Sequence, residues 1–305
     1  MTFSVTILGS NSALPTSERH PTAQILNVSE RFFLIDCGEG TQMQLRKNKI
    51  KFSRINHIFI SHLHGDHVFG LMGLISTFGL LGRRSKLTIH AHADLEKLLK
   101  SHINYFCADL PYSIEFNYLN TSSRSVIFED KKIIVETIPL KHRIPTVGFI
   151  FTEKQEQYSI RKECIEKYNL SIAEIVNIKN GGDLHLENGK IISNEELVKA
   201  KPKPRSYAYC SDTKYFKKLA DQINGISLLY HESTFLDADK GLAKSTMHAT
   251  ATQAANIAKD ANVDTLILGH FSSRYKNLDL FLNEAQQIFP NTQLGIEGRV
   301  FNVEQ

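Results

Sequence analysis

Short runs rich in apolar and β-branched residues recur along the whole chain. The first half holds FSVTIL, AQILNV, FFLIDC, INHIFIS, KLTIHA and KIIVETI; the second holds TVGFIF, SYAYCS, ISLLYHE, TLILGH and RVFNV. Their length and composition predict strands. Stretches with a helical spacing of apolar positions separate several of them: TQMQLRKN, VFGLMGLISTFGLL, DLEKLLKSHINYF, HATATQAANIAKDA and LDLFLNEAQQIF. Asp94 stands where the third of these helices should be capped. The first two strands follow each other without a helix, whereas later ones alternate with helices. Hairpins mixed with strand–helix–strand units predict an α/β protein whose mixed sheets are covered by helices.

The stretch Glu153 to Arg205 breaks this pattern. It is polar, weakly periodic and ends in KPKPR, with ten Lys/Arg against nine Asp/Glu. We read residues 1–305 as one domain carrying an inserted arm at 153–205, not a core segment. Its balanced charge does not mark it as a nucleic-acid arm.

Composition narrows the class. Of 305 residues, 42% are hydrophobic and 22% charged, which fits a globular chain with a substantial core. The formal net charge of +4 is compatible with an anionic partner without requiring one. Cys37, Cys107, Cys164 and Cys210 are widely spaced, so a reducing compartment is expected. The N-terminal MTFSVTILGS is no secretory signal, and no apolar run approaches the roughly 20 residues of a membrane helix. The expectation is a soluble, cytoplasmic protein with no membrane partner.

The chemistry concentrates in HLHGDH, at the end of the strand INHIFIS. His62, His64, Asp66 and His67 offer imidazole and carboxylate, ligand types that Zn²⁺ takes. Four such groups in six residues crowd a single tetrahedral ion. Two ions are easier to serve, with His62 and His64 on one and Asp66 and His67 on the other. Further ligand-type residues follow later strands: His142 after KIIVETI, Asp212 after SYAYC and His270 after TLILG. Strand carboxyl ends are where ligands bind in sheets of this type. An aspartate would bridge two ions best. His57, inside a strand, reads as a packing or an edge residue, and His90, His92, His102 and His185 lack a partner pattern. HEST at His231 is no zincin motif, since Phe235 stands where the second histidine belongs.

HLHGDH and this downstream series resemble the metallo-β-lactamase superfamily, which implies a four-layer αββα sandwich with a two-metal site. FLIDCGEGTQMQL, SHLHGDHVFGLMGL, YCSDT, HESTF, MHATATQAA and LGHFSSRY, spread over nearly the whole chain, resemble one branch of it, ribonuclease Z. That resemblance implies an endoribonuclease that removes 3′ trailers from precursor tRNA by two-metal phosphodiester hydrolysis, leaving a tRNA 3′-hydroxyl. It implies two Zn²⁺ per subunit. His62, His64 and His142 would hold one, Asp66, His67 and His270 the other, and Asp212 would bridge. It assigns Asp66 as the base, and His248 with Glu232 as a second acid/base pair, His248 lying at the start of a helix. It also implies a homodimer, with the 153–205 segment as the exosite that grips the tRNA elbow.

Two stretches depart from the family. LSIAEIVNIKNGG lacks the proline usual at the exosite tip. The LPTSERHPTAQ loop carries Ser17 and His20 where a lysine and an asparagine are usual in the loop linked to sensing a CCA end. Whether a CCA end blocks cleavage therefore stays open. Ligands without thiolate suit zinc, manganese or iron. Two other classes fit parts of the pattern: a small-molecule phosphodiesterase or arylsulfatase-like hydrolase of the same fold, and a non-catalytic RNA-binding metalloprotein.

Overall fold

The computed structural model describes residues 2–154, 157–201 and 203–304. The chain divides into two units, residues 1–152 with 205–304, and residues 153–204.

The larger unit is built on two seven-stranded sheets. In chain order the strands are β1 (Phe3–Gly9), β2 (Ala23–Val28), β3 (Arg31–Ile35), β4 (Ile55–Phe59), β5 (Leu87–Ala91), β6 (Ile114–Tyr118), β7 (Ser125–Glu129), β8 (Ile133–Pro139), β9 (Val147–Glu153), β10 (Ser206–Cys210), β11 (Leu228–Glu232), β12 (Thr265–Gly269), β13 (Thr292–Leu294) and β14 (Val300–Asn302). The first sheet runs β14-β1-β2-β3-β4-β5-β6, the second β13-β12-β11-β10-β9-β8-β7. Strands β1 to β3 pair antiparallel and β3 to β6 parallel. Likewise β9 meets β10 antiparallel, while β10 to β13 run parallel.

Alternation along each strand sorts side chains between two cores. Phe3, Val5, Ile7, Phe33, Ile35 and Phe59 of the first sheet meet Val135, Phe149, Phe151, Tyr207, Tyr209 and Tyr230 of the second. The intervening Ile25, Leu34 and Ile58 face helices α1 (Thr41–Lys47), α2 (Gly70–Leu80) and α3 (Asp94–Phe106). On the second sheet Ile150, Ala208, Cys210, Leu229, Leu266 and Leu268 lie under α4 (Ala251–Asp260) and α5 (Asp279–Gln286). The result is helix, sheet, sheet, helix: the αββα sandwich. Strands buried on both faces read as unbroken apolar runs, which is why they stood out in the sequence.

Some boundaries differ from expectation. Asp94 is the first helical residue of α3, not its cap. Ala93 precedes it with no side-chain cap, and the Asp94 carboxylate lies near His92 and Lys97 instead. Helix α4 starts at Ala251, with Thr250 and Gln253 forming a reciprocal capping box, so His248 precedes the helix and does not open it. Strands β6 and β7 are not among the predicted runs. They are the edges of their sheets, and their IEFNY and SVIFE are at most half-buried.

The smaller unit has its own core of Ile160, Cys164, Leu170, Ile178, Leu184, Ile192, Leu197 and Val198. It carries helices Lys162–Lys167 and Ile172–Lys179, the latter opened by a Ser171/Glu174 capping box. No helix among the described residues is long and apolar enough to cross a membrane.

Candidate metal centre and acid/base pair

Every metal-ligand candidate read from the sequence arrives in one cluster, in segments that follow strands, Asp66 and His67 on the one-turn helix Gly65–Val68 and the others in loops. His62, His64, Asp66 and His67 follow β4 of the first sheet. His142 follows β8, Asp212 follows β10 and His270 follows β12, all of the second sheet. Three overlapping groups result: His62, His64, His142 and Asp212; Asp66, His67 and His270; and Asp212, His248 and His270. The first two together hold all seven candidates, and the third adds His248, whose Nδ1 is spent on Glu232. The loop after β4 is seated by close backbone packing. A Cβ on Gly70 would stand 2.0 Å from the Gly38 carbonyl oxygen, so that position has no room for a side chain.

Hydrogen bonds fix the ring tautomers. His67 donates through Nδ1 to Asp36 (2.8 Å), His142 to the Met247 carbonyl (2.9 Å) and His62 to Ser61 Oγ (3.0 Å). Ser61 Oγ in turn donates to Asp36, as does Tyr209. His270 Nδ1 donates to Thr234 Oγ1 (2.9 Å), which itself donates to Glu232. Each of these four rings therefore turns its Nε2 to the cluster. His64 presents Nδ1, 3.0 Å from His62 Nε2 and 3.2 Å from His142 Nε2.

The donor set fits cations. Nε2 of His62 and of His142 converge on His64 Nδ1 at 3.0 and 3.2 Å, three imidazole nitrogens gathered where a shared positive charge would be stabilised. The buried Nε2 atoms of His67 and His270 have no hydrogen-bond partner at all. They lie 3.4 and 3.1 Å from Asp212 Oδ1 and each 3.5 Å from Asp66 Oδ2. The other Asp212 oxygen, Oδ2, is 3.5 Å from His62 Nε2 and 3.6 Å from His142 Nε2. Asp212 thus turns one oxygen to each group.

Charge follows the same division. Burial lowers the pKa of His62, His64 and His142, which keeps them neutral and able to coordinate. Burial opposes ionisation of Asp212, but His270, His67 and His62 hold it well below the usual carboxylate range. Asp66 is held low against burial by His67 and His270. For His67 burial also acts downward, yet the carboxylates of Asp66, Asp212 and Asp36 lift it well above 6.5. That negative field is the one a bound cation would take over from the proton.

His248 and Glu232 adjoin the cluster. His248 Nδ1 is 2.8 Å from Glu232 Oε1, and its ring centroid is 5.0 Å from that of His142. Glu232 is fully buried and held by the backbone N–H groups of Thr213 (3.0 Å) and Thr234 (3.1 Å). Burial acts against a protonated His248, but Glu232 raises it to about 9. A cleft of about 700 Å³ gives solvent access to His64, Asp66, His142, Asp212 and His248, with exposed Phe69 and Arg143 among its walls. Pro15 lines this cleft, whereas Ser17 and His20 do not; His20 bonds Gln44 and Glu297 instead.

Sequence reasoning missed Asp36, Ser61 and Thr234, which orient the rings. Asp36 closes the strand FFLID as Asp212 follows SYAYC, so strand-end position was the available signal. Asp36 (φ 54°) and His270 (φ 58°) both hold the left-handed backbone region, which costs a non-glycine residue roughly 1–2 kcal/mol. His231 is buried in β11 and joins no ligand group among the described residues.

The family model described as Anti-Pycsar protein Apyc1 matches residues 3–179, which places that part of the chain in its family. The match stops short of Asp212, Glu232, His248 and His270. Similarity to curated proteins runs the full length. The chain is 51% identical over 302 residues to Ribonuclease Z of Phocaeicola vulgatus, covering 99% of this chain and 98% of that protein. It is 50% identical to Ribonuclease Z of Bacteroides fragilis, covering 97% of each. Among solved structures it is similar to human tRNase Z, short form, with TM-score 0.72, 26% identity and coverage of 99% and 100%. The metallo-beta-lactamase fold protein YhfI from Bacillus subtilis, at TM-score 0.70, 16% identity and coverage of 99% and 100%, is a likeness of fold alone.

Proposed function

This chain belongs to the ribonuclease Z family, and from that premise we propose a metal-dependent hydrolysis that removes the 3′ trailer of precursor tRNA. It is an endoribonuclease with tRNA 3′-processing activity. The products are a 3′-hydroxyl on the tRNA and a 5′-phosphate on the trailer. Relatives at about half identity over the whole chain favour this reading over a small-molecule phosphodiesterase, an arylsulfatase-like hydrolase or a non-catalytic RNA-binding protein.

Two Zn²⁺ per subunit would be held, one by His62, His64 and His142 and the other by Asp66, His67 and His270, with Asp212 shared between them. The observation that carries the assignment is Asp212, whose two oxygens face the two groups at 3.1–3.6 Å. Such a pair supplies charge stabilisation to the attacking and leaving oxygens of an in-line displacement. Asp66 is placed to accept the proton of the attacking water. His248, protonated and oriented by Glu232, delivers a proton to the leaving 3′-oxygen of the tRNA. Phe69 and Arg143, exposed on the cleft wall, are placed to meet the RNA end.

Residues 153–204 serve as the exosite for the tRNA body. A homodimer in which each such segment serves the partner's active site follows from the family's arrangement, and the compartment is the cytoplasm. Elemental analysis tests the centre. Wild-type protein should retain close to two zinc per chain after dialysis, and Asp212→Ala should retain about one or none. A wild-type ratio near one would refute the two-metal assignment.

A further inference from the structure

A second cleft, of about 660 Å³, lies away from the metal centre by topology. Its residues precede β4 and β5, at the amino ends of parallel strands, whereas the metal ligands follow carboxyl ends. Two helix ends form its walls. Helix α1 ends at Lys47 and turns at Asn48 and Lys49; α2 ends at Leu80 and turns at Leu81 and Gly82.

Five cations line the cleft, Arg46, Lys49, Lys51, Arg83 and Arg84, and no carboxylate does among the described residues. In a chain with 36 Lys/Arg and 32 Asp/Glu that is a marked local imbalance. Arg83 is committed to the scaffold. It is buried, donates to the carbonyls of Ile55, Ser85 and Lys86 and to Asn56, and lies over Phe78. The other four are exposed and form no ion pair among the described residues. Lys49 is the informative one. Its φ is 56°, a conformation that disfavours a side chain by roughly 1–2 kcal/mol. Gly82, with φ 74°, makes the corresponding turn of α2 without that cost. A lysine stands where glycine would suit the backbone better. The apolar wall comes from Ile50, Leu81 and the largely buried Phe52, over which Arg46 lies at 5.5 Å.

We propose that this cleft binds a phosphorylated small molecule of nucleotide size. Its phosphates meet Lys49, Lys51, Arg84 and Arg46, and its planar body rests on Ile50, Leu81 and Phe52. The volume falls within the roughly 300–1,000 Å³ typical of small-ligand sites. Unpaired ammonium and guanidinium groups are the usual recognition chemistry for phosphate. The competing explanation is that the cations only complement the negative ends of α1 and α2.

The experiment uses the full-length metal-loaded enzyme and a fluorescent N-methylanthraniloyl ADP, displaced by ADP, pyrophosphate or inorganic phosphate. The proposal predicts saturable binding, with ADP displacing the probe more effectively than inorganic phosphate. Lys49→Gly with Arg84→Ala should weaken binding at least tenfold, and Leu81→Ser should weaken ADP more than pyrophosphate. Cleavage of precursor tRNA without nucleotide should be unchanged. Lys49→Gly alone suits the backbone there, so it remains folded and should still weaken binding severalfold. Four results would overturn the proposal: no saturable binding; binding indifferent to these substitutions, which leaves the cations a helix-end role; binding lost on chelation, which assigns it to the metal centre; or weakened precursor-tRNA binding without nucleotide binding, which makes the face an RNA contact.

Discussion

The imidazoles of the metal cluster differ in which nitrogen they spend on the scaffold. His62, His67, His142 and His270 commit Nδ1, whereas His64 turns Nδ1 inward. His248 commits Nδ1 to Glu232, which leaves Nε2 free for the proton transfer proposed for it. Removing that donor should cost about 10²–10⁴-fold in cleavage rate. His248→Ala should therefore fall into that range, and Glu232→Gln should lose roughly 10–100-fold by misorienting the ring. Single-turnover cleavage checks both. A precursor with a 3′-bridging sulfur at the scissile position needs no proton on its leaving group, so it should restore most of the His248→Ala rate and none of an Asp66→Ala loss. Equal loss on both substrates would assign His248 a structural role.

A different histidine pair contributes to acid stability. His57 Nδ1 lies 3.1 Å from His90 Nε2, and His90 stacks on Phe59 with ring centroids 4.3 Å apart. Burial depresses His57 to about 4 and His90 to about 3. Both are lower folded than unfolded, where about 6.5 applies. The unfolded chain thus binds more protons, so the neutral pair's stability is present above about pH 6.5 and is lost as pH falls toward 4 and 3. Urea unfolding across pH 4–7 should show this slope, and His57→Gln should flatten it. That His57 packs or edges a strand was legible from its position; the strand proves central, so it packs. Its partner His90 was not legible, because sheet neighbours are distant in sequence.

Among elements, the central strands were readable because both faces are buried. Strands β6 and β7 were not, since edges carry polar residues that blunt further pairing. The ligands could be read because chemically unusual residues follow strong strand signals. Asp36, Ser61 and Thr234 are common residue types, and nothing local shows that each holds a ring from another loop. The 153–205 stretch looked coreless in sequence because its small core spreads thinly over some forty residues, Ile160 to Val198. Its separate core predicts that the rest of the fold survives its removal. Replacing Lys154–Pro204 by a short glycine-serine linker should leave hydrolysis of bis(p-nitrophenyl) phosphate within about threefold and reduce precursor-tRNA cleavage by orders of magnitude. Undiminished tRNA cleavage would contradict an exosite role.

On the scale of the whole molecule, the site belongs to neither sheet alone. HLHGDH follows β4 of the first sheet, while His142, Asp212 and His270 follow strands of the second. The aromatic core between them, Phe33, Phe59, Phe149, Tyr209 and Tyr230, sets the separation at which these loops meet. Tyr209 links the two scales directly, since its hydroxyl donates to Asp36 at 2.6 Å and Asp36 orients His67. Metal, base and acid therefore depend on one packing arrangement, and the most direct test reads them together. Incubate a 5′-labelled precursor tRNA with the enzyme, with and without chelator and with zinc restored, and map the cut end. A single endonucleolytic cut at the 3′ side of the tRNA, a free 3′-hydroxyl, abolition by chelator and recovery with zinc is the predicted result. Cleavage indifferent to chelation, or a 3′-phosphate or cyclic phosphate on the tRNA, would contradict the two-metal hydrolysis assigned to this cluster.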